Sequence, residues 1–237
     1  MRLATCNARG TDDGLSNHQV RRVAKIASRN AEVVGFQEVK SLHDKELVIA
    51  GLGPQWGLYV SQTNSPIALN KSFWNVLDEG FATMHPAMAK VTPTRYVSWV
   101  IAENRKRPAL PPVAFTNGHV INKGPKQDRW DETPDNKYEQ IRYTFRQQGL
   151  ATWASVIEEL RMEHGCTIFG TGDFNLLDAP RFHQKQQWLD NRGIDKIFYV
   201  PGLKRLHAPR FDLVETWEVN TPSDHHLNVV RGRLIRP

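Results

Sequence analysis

Short apolar runs that stop abruptly at a polar residue recur along this chain. Leu3 to Cys6 is a strand candidate that ends at Asn7, and Val33 to Gln37 is another that delivers Glu38. Val113 to Phe115 runs out into Asn117-Gly118-His119, and Thr167 to Phe169 leads to Asp173 and Asn175. Further strands are expected at Trp56–Val60, Phe73–Leu77, Tyr96–Ile101, Lys196–Val200, Phe211–Trp217 and Leu227–Leu234. The run Leu47–Leu52 is short and fits either element. A polar turn is expected around Thr63–Pro66.

Helical spacing covers two long segments. From Ser16 to Asn30, Val20, Val23, Ala24 and Ala27 form one stripe, while Arg21, Arg22, Lys25 and Arg29 fall mostly off it. That basic set reads as a solvated helix face ahead of a phosphate-binding surface. From Tyr138 to Glu163 the apolar positions Ile141, Phe145, Leu150, Trp153, Ile157 and Leu160 repeat helically, with Gly149 a point of interruption. A short helix is expected over Phe182–Asn191. Residues 122–136 are polar and proline-broken, an exposed loop. Many strands, few helices and no long linker predict one α+β domain over residues 1–237, with two sheets face to face and helices outside.

The stretch Gly170-Thr171-Gly172-Asp173-Phe174-Asn175 concentrates the chemistry. Its two glycines are expected to break the strand and permit a sharp bend. In an extended segment Asp173 and Asn175 then face one space, with Phe174 turned into the core. Gly, Asp and Asn also favour plain turns, so this stretch alone does not decide between a turn and an active site. The other strand ends tip the balance. Glu38, His119, Asp195 and the pair Asp224-His225 each follow or precede an apolar strand. Convergence of so many strand ends on one site is hard to ascribe to chance.

Composition adds two constraints. The formal charge of +6 over 237 residues suits a polyanionic partner. The only cysteines, Cys6 and Cys166, lack metal-ligand spacing and read as reduced, buried thiols in a cytoplasmic protein. No apolar run reaches membrane-spanning length, and the N-terminus has no signal-peptide core.

Carboxylates with an amide oxygen make a hard site suited to Mg²⁺ or Mn²⁺. Histidines can bind a phosphate, and a free Asp can deprotonate a water. These are the parts of metal-assisted phosphate-ester hydrolysis. The chain has no Walker loop, no Gly-x-Ser-x-Gly elbow and no paired-Cys metal site.

In order, the pieces Thr5-Cys6-Asn7-Ala8-Arg9-Gly10, Gly35-Phe36-Gln37-Glu38-Val39, Asn117-Gly118-His119, Gly172-Asp173-Phe174-Asn175, Gly193-Ile194-Asp195-Lys196-Ile197 and Ser223-Asp224-His225-His226 resemble the endonuclease/exonuclease/phosphatase superfamily. The resemblance implies a four-layer α/β/β/α sandwich like that of deoxyribonuclease I, with the site at one edge. It implies that Glu38 is the principal metal ligand with Asn7 beside it and Asp224 as a further ligand. By the same resemblance Asp173 handles the attacking water, Asn175 holds the scissile phosphate, Asp195 orients His225, and His119 is a second phosphate-binding residue. The chain departs from the family pattern in having Gly118 where threonine is usual, Cys6 where tryptophan is common, and no proline after the Asp-His pair.

The leading expectation is a divalent-metal-dependent phosphodiesterase acting on nucleic acid, DNA first, as an endonuclease or exonuclease. The basic loop Arg105-Lys106-Arg107 and the group Lys126, Arg129 and Trp130 are candidate substrate-binding residues. The alternative is a small-molecule phosphoesterase for an inositol phosphate, phospholipid head group or nucleotide. A non-catalytic binding module on the same scaffold ranks third. No membrane partner is expected, and a monomer is favoured over an oligomer.

Overall fold

The computed structural model describes residues 1–122, 137–203 and 208–235. Its strands are β1 (Arg2–Asn7), β2 (Val33–Gln37), β3 (Trp56–Tyr59), β4 (Ile67–Asn70), β5 (Trp74–His85), β6 (Arg95–Asn104), β7 (Val113–His119), β8 (Thr167–Asp173), β9 (Gln187–Asp190), β10 (Asp195–Val200), β11 (Arg210–Val219) and β12 (Leu227–Ile235). The α-helices are α1 (Asn17–Asn30), α2 (Leu42–Leu52) and α3 (Lys137–Glu163).

Two six-stranded sheets form, in the orders β11-β12-β1-β2-β4-β3 and β5-β6-β7-β8-β10-β9. Each contains one parallel pair, β1 with β2 and β7 with β8, and the other pairs are antiparallel. Parallel neighbours need a crossover. In the first sheet α1 supplies it, and in the second α3 does.

Strand alternation sorts the apolar side chains into three layers. Leu3, Val33, Leu69 and Val230 of the first sheet meet Val100, Phe115, Phe169 and Ile197 of the second. Ala4, Cys6, Val34 and Phe36 point the other way, onto Val20, Val23, Ala27, Leu47 and Val48 of α1 and α2. Ala114, Ile168 and Phe198 meet Leu150, Trp153, Ile157 and Leu160 of α3. The result is the expected α/β/β/α sandwich. Both cysteines are free and buried, and burial pushes both thiols up, Cys166 to about 12. Among the described residues no helix is long and apolar enough to cross a membrane.

Several local expectations need correction. β8 continues through Gly170 and Gly172 without a break, and the glycines serve close packing instead. A Cβ at Gly170 would lie 1.9 Å from the Phe198 ring. Residues 182–191 form no helix, and β9 occupies Gln187–Asp190. The ambiguous run at Leu47–Leu52 is the end of α2, whose start is fixed by a capping box between Ser41 and Asp44. β4 follows directly on the turn at Thr63–Pro66. A stiff basic loop is expected from Ala102 to Pro112, but Ala102–Asn104 belong to β6, and α3 runs uninterrupted through Gly149.

Candidate active site

Because β1 and β2 are parallel, as are β7 and β8, all four strands finish at the same edge of the sandwich. β1 ends in Asn7, β2 delivers Glu38, β7 ends in His119 and β8 in Asp173. Strand register aligns the second sheet's contribution: His119 lies opposite Asp173, and Asp173 opposite Asp195 at the start of β10. The turn before β12 brings Asp224 and His225 to the same edge, because Asn228 pairs with Thr5.

The backbone is strained where the side chains must turn inward. Arg9, Glu38 and Asn175 are non-glycine residues with φ of 42°, 62° and 52°. Such conformations cost free energy and tend to collect at functional sites.

Asp173 is the centre of the polar network. It is buried, its Oδ2 accepts from Asn7 Nδ2 at 3.0 Å, and its Oδ1 accepts from the Asn175 backbone N–H at 2.8 Å. His119 Nε2 lies 3.5 Å from Asp173 Oδ2 and 3.8 Å from Glu38 Oε1. Burial, then the charge of Asp195, pushes the Asp173 carboxyl up to about 7, against the pull of His225, Asn175 and Asn7. Asp195 is raised as well, chiefly by burial. Its Oδ2 bonds His225 Nδ1 at 2.6 Å, while its Oδ1 is buried with no hydrogen-bond partner. Burial works against the charged form of His225, but the bond to Asp195 and the charges of Asp195, Asp173 and Asp224 prevail. They push His225 up to about 9. His119 moves the opposite way, well below the ordinary value, through burial and the Arg95 charge.

The sequence-predicted residues are thus mostly brought together. Glu38, His119 and Asp173 offer ligand atoms within 4.8 Å of one another, and so do Asp173, Asp195 and His225. Asn7 turns its amide nitrogen to Asp173, and its Oδ1 accepts the Arg9 N–H at 3.1 Å. Asn175 sits beside Asp173, but its Nδ2 donates to the Val120 carbonyl at 2.9 Å. Asp224 is half exposed and held by Arg9 Nη1 at 2.7 Å, outside both ligand groups.

The basic loop is not at the site. Arg95 at the start of β6 reaches His119, and β6 runs away from that edge for ten residues. At roughly 3.3 Å per residue, Arg105, Lys106 and Arg107 lie about 30 Å from the cleft. There Arg105 bonds the Trp74 carbonyl and Arg107 the Leu234 carbonyl. Lys126, Arg129 and Trp130 lie outside the described residues.

Arg95 escaped the sequence reading, and Asn117 was named there without a role. Arg95 fixes His119, and Asn117 ties the sheets together beneath the site. Asn117 Nδ2 donates to the Phe36 carbonyl at 2.7 Å and its Oδ1 accepts from Gln37 Nε2 at 2.6 Å and Thr171 Oγ1 at 3.1 Å. A buried asparagine inside an apolar strand was the available signal.

No family model and no curated protein matches the sequence. Solved structures do. A mannosyl-6-phosphatase from Bacteroides thetaiotaomicron superposes with a TM-score of 0.69 at 15% identity, covering 98% of this chain and 99% of that one. An endonuclease/exonuclease/phosphatase protein from Bacteroides vulgatus gives 0.71 at 17%, covering 98% of both chains. D. rerio TDP2, solved in complex with single-strand DNA product, gives 0.65 at 12%, again covering 98% of both.

Proposed function

From a chain with the fold of the endonuclease/exonuclease/phosphatase proteins and a cleft of this make-up, we propose a divalent-metal-dependent phosphodiesterase that hydrolyses nucleic acid. The observation that carries the reading is the row His119, Asp173, Asp195 along one sheet edge, facing Glu38 from the other sheet and backed by His225.

The donor set fits a hard cation. Two buried carboxylates raise their own proton affinity, and one Asp195 oxygen lacks a partner. Glu38 would hold Mg²⁺ or Mn²⁺ through oxygen beside Asp173, whose own carboxyl is left for the water. His119 is excluded as a ligand, since Arg95 Nη1 occupies its Nδ1 at 2.7 Å and the neutral ring then carries its proton on Nε2. When bound, the ion neutralises phosphate charge and acidifies coordinated water.

The chain's own groups divide the remaining work. Asp173, braced by Asn7 and the Asn175 N–H, has the basicity to take a proton from an attacking water. His225, cationic at neutral pH, presents charge to the phosphoryl oxygens while Asp195 fixes its ring. His119 donates through Nε2. The net charge of +6 and the likeness to TDP2, solved with a DNA product, favour nucleic acid as the substrate.

A second reading, a small-molecule phosphoesterase, is favoured by the likeness to the mannosyl-6-phosphatase. The test is a substrate panel of plasmid, single strands, RNA and sugar or inositol phosphates, each with Mg²⁺, Mn²⁺ or EDTA. Metal-dependent cleavage of a polynucleotide, lowered about 10²–10⁴-fold in Asp173→Asn, is the expected result. Turnover of phosphomonoesters alone would transfer the assignment to the second reading.

A further inference from the structure

Helix α1 has a face that the catalytic groups do not use. Its apolar stripe of Val20, Val23, Ala24 and Ala27 is fully buried. On the outer side His18, Arg21, Arg22, Lys25 and Arg29, all exposed, line a groove of about 670 Å³ shared with the end of α2. The floor exists because Gly51 lets α2 come close. A Cβ there would stand 2.3 Å from the Arg21 carbonyl oxygen and 2.8 Å from the Ala24 methyl. Small residues make the bottom and long basic side chains make the wall.

Among the described residues no acidic side chain lines this groove, and α1 contains no Asp or Glu. Among the described residues the charged ends of Arg21, Arg22, Lys25 and Arg29 make no ion pair. Four uncompensated cations held along one side of a helix set up a local positive field that the sequence pattern alone does not localise.

We propose that this groove is a second docking site for the phosphate backbone of a nucleic-acid strand, away from the scissile bond. This deepens the functional reading above and rests on it for the identity of the ligand. The placement is suitable: α1 starts just past the loop that follows Asn7 at the catalytic edge and runs back along the flank of the sandwich. From Arg21 to Arg29 the helix rises about 12 Å. One strand of a duplex carries a phosphate about every 3.4 Å of helix axis, so that length passes three or four phosphates. A lipid surface fits less well. Membrane-lying helices present an apolar face to the acyl boundary. The apolar face of α1 is spent on the core, and none of the large exposed hydrophobic side chains lies on α1.

The experiment is anisotropy of a labelled single-stranded oligonucleotide, in EDTA to prevent cleavage, across a salt series. The quadruple variant R21Q/R22Q/K25Q/R29Q is expected to bind at least tenfold more weakly at low salt. The slope of log affinity against log salt should flatten by roughly 3, at about 0.7 per phosphate contact on a single strand. The charge-preserving variant R21K/R22K/R29K should keep the wild-type slope, and the melting temperature of each variant checks the fold. An unchanged slope in the quadruple variant overturns the proposal. So does loss of binding to phosphatidylserine vesicles with oligonucleotide binding intact. The two readings fail separately. A protein that cuts nucleic acid but keeps its slope refutes the groove alone. One that binds through the groove but cuts nothing refutes the hydrolase.

Discussion

Arg95 donates from Nη1 to Nδ1 of His119 at 2.7 Å, both side chains being buried. An arginine is never an acceptor, so this bond dictates the tautomer of the ring. It leaves His119 Nε2–H facing Glu38 and Asp173 as a donor. Arg95→Met should therefore free the ring to rotate and to exchange tautomers. Activity is expected to fall about 10- to 100-fold, as for other residues that orient an active-site histidine from behind. Nitrogen chemical shifts of the imidazole check the cause, moving from one tautomer to a mixture.

The Asp195–His225 pair sets the alkaline limit. His225 titrates at about 9, so the ring is charged at neutral pH and loses its proton above that value. The activity profile is expected to fall as pH passes about 9. His225→Asn should lower the plateau by about 10²-fold and remove that limb. A variant with an unaltered alkaline limb would refute the role given to His225.

Stability should decline with pH in the metal-free protein. The folded pKa of His225 lies above its ordinary 6.5, so the ion pair's contribution is complete below 6.5 and is lost towards 9. Asp173, ordinarily 3.8, also holds its proton more tightly when folded, and its contribution is lost as pH rises from 3.8 to about 7. A divalent cation favours the ionised carboxylates and binds only the folded chain. Mg²⁺ should raise the melting temperature more at about pH 8 than at about pH 5. Equal shifts at both would argue against a cation bound beside Asp173.

Gly35 is a point of close approach between the two sheets under the cleft. A Cβ there would lie 1.9 Å from Thr171 Oγ1 and 2.6 Å from Asn117 Oδ1. Gly35→Ala is expected to cost about 1–3 kcal/mol by overpacking, read as a lower urea midpoint at constant slope. Adding Thr171→Ala removes the nearest atom and should recover part of the loss. If the double variant is no better than the single, the strain is elsewhere.

Much of the site could be read from the sequence because of one physical rule: an apolar strand that ends in a ligand-type residue at a sheet edge. Asn7, Glu38, His119 and Asp173 follow it, and Asp195 stands instead at the start of an apolar strand. What it could not convey was direction. Arg105, Lys106 and Arg107 have suitable charge, but β6 runs antiparallel to β7 and carries them to the far edge. Arg95 was overlooked because its partner belongs to another strand, and a single charge at a strand start has no signature. β9 was mistaken for helix because residues 182–191 mix polar and aromatic positions without a clear period of two. The basic face of α1 was seen as solvated because its groove depends on α2 approaching at Gly51.

The first sheet is assembled from both ends of the sequence: Leu3 pairs with Val230, and the Met1 amino group bonds the Gly232 carbonyl at 3.0 Å, 231 positions away. The whole second sheet is an excursion between them, and His225 lies just ahead of β12, the last of the described strands in chain order. β1, which ends in Asn7, therefore completes its pairing only through a partner more than two hundred positions along the chain, a contact whose loop-closure cost slows the closing of that sheet.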